Sequence, residues 1–269
     1  MVEEQTDLIP AERRIRIQKI IRAQGGVRVS HLSDLLGVSK ITIRRDLEQL
    51  EEEGVLERTH GGAIIIHRMP YEPPFIEKDN INREAKRCIG MAAAQLVEDG
   101  DTILVNSGST TLRIFPNLTG IENLRVITNN MGAFLEIRDA DLELILTGGI
   151  FREQSNSLIG PLAIQNIRKV FATKCFIGVD GISRKHGLTT PILQEAEVAQ
   201  TMIERTRGQV IVVADPSKLG VVSNFVTAPI DQVDTLVTSK GANEEYLTEL
   251  EEEGVDVIIA PSVTENALL

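Results

Sequence analysis

The sequence predicts an α/β protein: a small, mostly helical N-terminal domain followed by a larger domain built on a mostly parallel sheet. Three observations lead there. Residues 12–50 hold three amphipathic or capped helical segments joined by short glycine-containing turns. Residues 67–82 contain Pro70, Pro73 and Pro74 and follow neither a helical nor an alternating period. Beyond Asp99-Gly100, short runs rich in Val, Ile and Leu alternate with amphipathic segments, as strands buried on both faces do when helices connect them. The boundaries expected are a flexible 1–11, a small domain over 12–66, a semi-rigid linker over 67–82 and a large domain over 83–269.

In the small domain, ERRIRIQKIIRAQ (12–24) carries Ile17, Ile20 and Ile21 at helical spacing, and Gly25-Gly26 stops it. VRVS reads as a short strand. A second helix, capped by Ser30, turns Leu32, Leu35 and Leu36 toward its partners, and Gly37-Val38-Ser39 makes the turn to a third. There Ser39 is the expected cap and Lys40 the first helical residue. Ile43, Leu47 and Leu50 form one buried stripe at i, i+4 and i+7. Ile41, Thr42, Arg44 and Arg45 then face outward near the helix start. Arginine can donate two bonds to guanine, and threonine can reach a base edge or a thymine methyl, so these side chains suit double-stranded DNA in the major groove. Ile41 is expected to touch a thymine methyl and contribute sequence preference. Residues 54–64 alternate, turn at Gly61-Gly62 and alternate again, which reads as a β-hairpin wing. Arg58, His60 and Gly61 on that wing join Ser39, Lys40, Ile41, Thr42, Arg44 and Arg45 as candidate DNA contacts.

Charge distribution agrees with this division. The formal net charge is −11, yet residues 10–68 hold 11 basic against 8 acidic side chains, whereas 69–269 hold 17 against 28. The small domain can approach phosphate while the large one is repelled, and so modest a positive charge implies that useful binding needs a dimer or tetramer. With 42% hydrophobic and 25% charged residues the chain has an ordinary globular composition. No apolar run approaches the roughly 20 residues that span a bilayer, so a cytoplasmic protein without membrane contact is expected. Cys88 and Cys175 read as core thiols. The scattered His31, His60, His67 and His186 offer no metal-ligand spacing, and neither metal nor cofactor is expected.

In the large domain, helices are expected from Asn82, near 109–115, near 160–169 and over 192–206, between strands TILVN, LRVIT, LELIL, KCFIGV, QVIVVA, TLVTS and VDVIIA. Polar and glycine-rich groups follow five of these strands: Asn106, Ser107, Gly108, Ser109, Thr110 and Thr111; Thr128 and Asn129; Thr147, Gly148 and Gly149; Gly178 to Gly181 with Asp180; and Asp215 to Lys218. Ligands of such sheets sit at the carboxyl ends of strands, so all five are expected to converge on one cleft. Asn106–Thr111 is the anion candidate, because glycine admits close backbone approach while N–H groups and hydroxyls point at the ligand. Lys218 supplies a cation.

The first 64 residues, through Arg13-Arg14, LSDLLGVS, TIRRDL and LEEEGVLERTHGGA, resemble the winged helix-turn-helix of the DeoR family of bacterial transcriptional repressors. The large domain resembles that family's effector domain, similar in fold to ribose-5-phosphate isomerase and the coenzyme A transferases, through GSTT and ADPSK. The resemblance implies a repressor controlled by a phosphorylated sugar. It also implies that Ser107, Gly108, Ser109, Thr110 and Lys218 grip the phosphate, that Asp180 matches the second acid of the isomerase cluster and that Glu195 falls near its catalytic glutamate. Ile177 and Gly181 stand where the isomerase has two further acids. Recognition without turnover is therefore expected, with a sugar-phosphate isomerase carrying a DNA-binding appendage as the alternative.

Overall fold

A computed structural model describes residues 9–24, 26–58, 61–65, 67–68, 72–137 and 142–262. The small domain comprises α1 (Pro10–Gln24), β1 (Gly26–Arg28), α2 (Val29–Leu36), α3 (Lys40–Glu52), β2 (Leu56–Arg58) and β3 (Gly62–Ile65). Its core joins Ile17, Ile21, Leu32, Ile43, Leu47 and Leu50 to Leu56 and Ala63 of the sheet, whose antiparallel order is β1-β3-β2. The Ser39 hydroxyl accepts from the Thr42 N–H at 3.1 Å, and Gly37 takes φ +66° to end α2.

Two local expectations, both in α2, are corrected. Ser30 does not cap α2: the helix starts at Val29, two residues earlier than a Ser30 cap requires, and the Val29 N–H is satisfied by the wing's Gly61 carbonyl at 2.7 Å. Leu35 is exposed, because the buried side of so short a helix is Val29 and Leu32, with Leu36 packed at the margin. Arg13 lies within α1, where its guanidinium meets the Asp46 carboxylate of α3 through Nε at 2.5 Å and Nη2 at 3.2 Å.

The linker is more ordered than its prolines suggest. β4 (His67–Arg68) pairs in parallel with β14 (Val221–Val222) of the large domain. Pro73 and Pro74 then fix the backbone ahead of α4 (Phe75–Asn80), a short helix anchored by Asp79 to Arg113 and by Lys78 to Asp180.

The large domain runs α5 (Arg83–Ala94), β5 (Thr102–Val105), β6 (Leu124–Thr128), α6 (Ala133–Glu136), β7 (Leu142–Leu146), β8 (Ile150–Arg152), β9 (Ser157–Ile159), α7 (Pro161–Ile167) and β10 (Ala172–Gly178). It continues with β11 (Gly181–Ser183), β12 (Gly187–Thr190), α8 (Leu193–Glu204), β13 (Thr206–Val213), β14, β15 (Phe225–Ala228), β16 (Thr235–Ser239), α9 (Glu244–Glu252) and β17 (Asp256–Ala260). Seven strands form one sheet in the order β17-β16-β13-β10-β5-β6-β7, and every neighbouring pair is parallel. Alternate residues face opposite layers. Leu104, Cys175 and Val212 pack with α7, α8 and α9, while Ile103, Val105 and Phe176 pack with α5. Both cysteines are free and buried, and burial pushes the Cys175 thiol up to about 12.

The helix expected near 109–115 is instead two 3-10 turns, Thr111–Arg113 and Phe115–Asn117, since Pro116 removes a donor that a continuous helix would need. The antiparallel pieces β11-β12-β15 and β8-β9 were not anticipated. No helix among the described residues is long and apolar enough to cross a membrane.

From β5 the chain builds outward through β6 and β7, then returns to β10 on the other side of β5 and proceeds to β17. The order therefore reverses between β5 and β10. Connections leaving these two strands diverge, and a crevice opens above their carboxyl ends.

Candidate functional site

A cavity of about 180 Å³ lies at that reversal. Three strand ends line it: Ser107 to Thr110 after β5, Gly178 to Asp180 at the end of β10, and Asp215, Ser217 and Lys218 after β13. The loop after β5 is held from behind. The Asn106 side chain accepts from the Gly178 N–H at 2.7 Å and donates to its carbonyl at 2.9 Å, tying β5 to β10. Thr111 donates to the Asn106 carbonyl at 2.8 Å. Asn129 accepts from the Ser107 N–H at 2.7 Å, and Thr128 donates to the Val105 carbonyl at 2.6 Å. Thr111 and Thr128 are thus buried supports, Asn106 and Asn129 are buried supports that also line a smaller pocket with Ser107, Asp180 and Glu195, and Ser107, Gly108, Ser109 and Thr110 face the cavity.

The remaining expectations separate. Asp180, Glu195 and Lys218 do meet in the cavity. Gly148 and Gly149 do not: at φ +67° and +126° they reverse the chain between β7 and β8, and a Cβ on Gly149 would meet the Ile159 carbonyl oxygen at 2.6 Å. Gly181 begins β11, where a Cβ would stand 2.3 Å from the Val221 carbonyl oxygen. Its smallness serves packing, and no acid fits at that position without moving the backbone.

Four charged residues at or beside the site escaped the sequence reading, and they come from the linker, α5 and β8. Lys86, only 3% exposed, extends from α5 to the Ser109 hydroxyl at 3.0 Å and to the Lys78 carbonyl. Burial lowers its pKa to about 8. Lys78 of α4 bonds Asp180 at 2.8 Å and lies 3.6 Å from buried Glu72. Burial opposes its charge, but Asp180 more than compensates and raises its pKa. Asp180 is correspondingly lowered against its own burial by Lys78 and Lys218, and Thr190 donates to it at 3.1 Å. Arg152 of β8 reaches Glu72 at 2.5 Å and Glu195 at 3.3 Å, while burial raises Glu195. The signal for Lys86 was present: with Ile89, Gly90 and Ala93 it occupies i, i+3, i+4 and i+7, a lysine on a buried stripe.

This arrangement can hold a ligand that is anionic at one end and hydroxylated at the other. The loop hydroxyls, Lys86 at Ser109 and Lys218 supply donors and positive charge, and Asp180 and Glu195 on the same lining supply acceptors.

In the small domain, Ile41 is 73% exposed and Lys40, Arg44 and Arg45 are also exposed at the start of α3, with Thr42 partly so. Ser39 is occupied as the cap. A shallow groove between α1 and α3 brings Arg14 beside Ile41, Thr42 and Arg45. Arg58 is paired to Glu48 of α3 at 2.9 Å, and Gly61 lies against Glu245 of α9. His60 lies outside the described residues.

Comparison with known proteins agrees in both domains. Residues 13–69 match the DeoR-like helix-turn-helix domain, and residues 81–240 match the DeoR C terminal sensor domain. The HTH-type transcriptional regulator GlpR of Haloferax volcanii is 34% identical over 251 residues, covering 93% of this chain and 98% of its own length. A putative aga operon transcriptional repressor of Escherichia coli O157:H7 is 34% identical over 252 residues, 93% of each chain. The solved ribose 5-phosphate isomerase A of Methanocaldococcus jannaschii covers 51% of this chain and 55% of its own at 16% identity and a TM-score of 0.38. With an exposed reading helix at one end, a cavity at the sheet reversal of the other and both family domains in tandem, the chain belongs to the DeoR family, a DNA-binding transcriptional regulator with a C-terminal effector-binding domain.

Proposed function

We propose that the protein is a cytoplasmic repressor that binds operator DNA as two or more copies and responds to a phosphorylated sugar in the cavity above β5 and β10. The observation that carries this reading is that the Ser107–Thr110 loop, Lys86 and Lys218 line one cavity, with Lys86 at the Ser109 hydroxyl. It offers backbone donors, hydroxyls and two cations where the fold leaves a crevice. Asp180 and Glu195 accept from sugar hydroxyls. They do not drive turnover: Asp180 is already engaged by Lys78 and Thr190, Ile177 is fully buried in the sheet core, and Gly181 has no room for a carboxylate.

Ile41, Thr42, Arg44 and Arg45 contact the DNA. Replacing Arg45 with Ala weakens binding to the preferred operator by about 1–3 kcal/mol and relaxes one base position in a binding-site selection. An equal loss on every sequence would make it a phosphate contact. Replacing Lys218 with Ala leaves DNA affinity unchanged but weakens effector binding by about 1.5–3 kcal/mol, the range for a hydrogen bond to a charged group. Titrating effector against labelled operator separates the two quantities. Loss of DNA binding without effector would instead place Lys218 in the fold or the assembly.

A further inference from the structure

The glycine pair after β7 lies off the cavity, and the surface it shapes carries an unusual density of exposed apolar side chains. Phe134 and Leu135 of α6, Leu146 of β7, Ile150 and Phe151 of β8 and Leu162 of α7 are each between 37% and 64% exposed. These elements adjoin. A Cβ on Gly132, just ahead of α6, would stand 3.2 Å from the Asn156 side chain at the tip of the β8-β9 hairpin, and Ile150 lies 3.3 Å from the Cβ position of Gly160 ahead of α7. Residues 144–151 and 154–167 contain no charged side chain, in a chain that is 25% charged. β7 is the last strand of the seven, with no further strand beside it among the described residues.

We infer that this face is where a second copy of the chain docks. The inference rests on the proposal that DNA is read by at least two copies. The six side chains expose roughly 600 Å² of accessible surface, at the upper end for a patch on a monomer and close to the roughly 800 Å² that each partner buries in a standard interface. Charge selects the same partner. Residues 69–269 carry 28 acidic against 17 basic side chains, so copies repel one another across most surfaces, and these uncharged stretches are where repulsion is least. A two-fold contact of the face with itself closes after two copies, as a palindromic operator requires.

The face is also wired to the cavity. Ile150 and Phe151 point outward on β8, and the next residue, Arg152, reaches inward to Glu72 and Glu195. Glu195 lines the cavity, and Glu72 belongs to the segment arriving from the DNA-binding domain. A ligand that recruits Glu195 changes the partners of Arg152, and three residues of strand transmit that change to the contact between copies.

Light scattering on the full chain, from nanomolar to tens of micromolar, tests this with Ile150→Glu/Phe151→Glu and, at the opposite edge strand, Ile259→Glu. The unmodified protein and the Ile259 variant should show at least twice the chain mass, and the double variant at most half of theirs while still melting cooperatively. An unchanged assembly in the double variant overturns the docking face but leaves the two-copy reading intact. A monomeric unmodified protein overturns both and assigns the face to a different partner. Should the double variant fail to fold, hydrogen exchange of the unmodified protein above and below its dissociation concentration decides. Slowed exchange in the assembly must fall on 142–151, and protection confined to another surface overturns the inference.

Discussion

Replacing Lys86 with Met should raise the melting temperature of the ligand-free protein and weaken effector binding in the same step. The side chain is 3% exposed, and burial holds its pKa near 8, against 10.5 for the free group. The folded state therefore binds fewer protons than the unfolded chain between about pH 8 and 10.5, so this group's contribution to stability improves as pH rises through that window. Below pH 8 the full cost of a buried ammonium is present. Each pKa unit corresponds to about 1.4 kcal/mol, so a methionine of similar length should gain about 1–3 kcal/mol at pH 7 after its lost bonds to Ser109 and Lys78 are counted. An anionic ligand offsets that cost by pairing with the charge, and truncating one partner of a buried charge pair costs about 2–5 kcal/mol. Effector affinity should also fall in the unmodified protein as pH rises above 8, and the Met variant should lose that dependence. Calorimetric titration at pH 7 and pH 9 measures both. A variant that is less stable and binds normally would show that Lys86 is a structural pillar remote from the ligand.

Replacing Asp46 with Ala should abolish DNA binding at physiological temperature while leaving the sensor domain's transition in place. The Arg13–Asp46 pair joins α1 to the reading helix with side chains only 10% and 5% exposed. Removing one member of a buried pair leaves the other charge without it, at a cost of about 3–5 kcal/mol. A domain of this size has about 3–9 kcal/mol of stability in total, so the loss is comparable to the whole. Calorimetry should show an early transition for the small domain beside a nearly unchanged later one. The Arg13→Met/Asp46→Leu double variant should recover much of the loss, since an apolar pair of similar volume avoids desolvation altogether. Failure of that rescue would mean that the pair contributes more than charge compensation.

Periodic elements were legible in the sequence. Ile43, Leu47 and Leu50 are all buried in α3, Ile41 stands out from it, and the seven long strands occur where the apolar runs lie. Less legible were elements too short to show a period: β8, β9, β11 and β12 are three or four residues each, and α4 is six. The cavity-lining loop after β5 was visible because glycine and hydroxyl residues follow a strand. The residues that charge the cavity were hidden for a different reason. Lys78, Lys86 and Arg152 reach Asp180, Ser109 and Glu195 across separations of 102, 23 and 43 residues, which no local pattern encodes. Thr147-Gly148-Gly149 misled because glycine after a strand serves a sharp reversal as readily as a ligand.

The linker changes what coupling requires. β4 adds to β14 just beyond Lys218, and α4 lends Lys78 to the cavity, so the segment arriving from the DNA-binding domain forms part of the cavity wall. For effector to release or promote DNA binding it must favour one arrangement of the heads by about 1–3 kcal/mol over the other. That difference can arise where ligand and linker share Lys78 and Asp180.

The most direct measurement titrates sugar phosphates into the protein bound to an operator obtained by selection, following DNA release or tightening by fluorescence anisotropy. The proposed function requires that a phosphorylated sugar shift operator affinity about 5- to 150-fold, that its unphosphorylated counterpart not do so, and that Lys218→Ala suppress the shift without altering ligand-free DNA affinity. Equal responses to sugar and sugar phosphate, or a full response in the Lys218 variant, would contradict it.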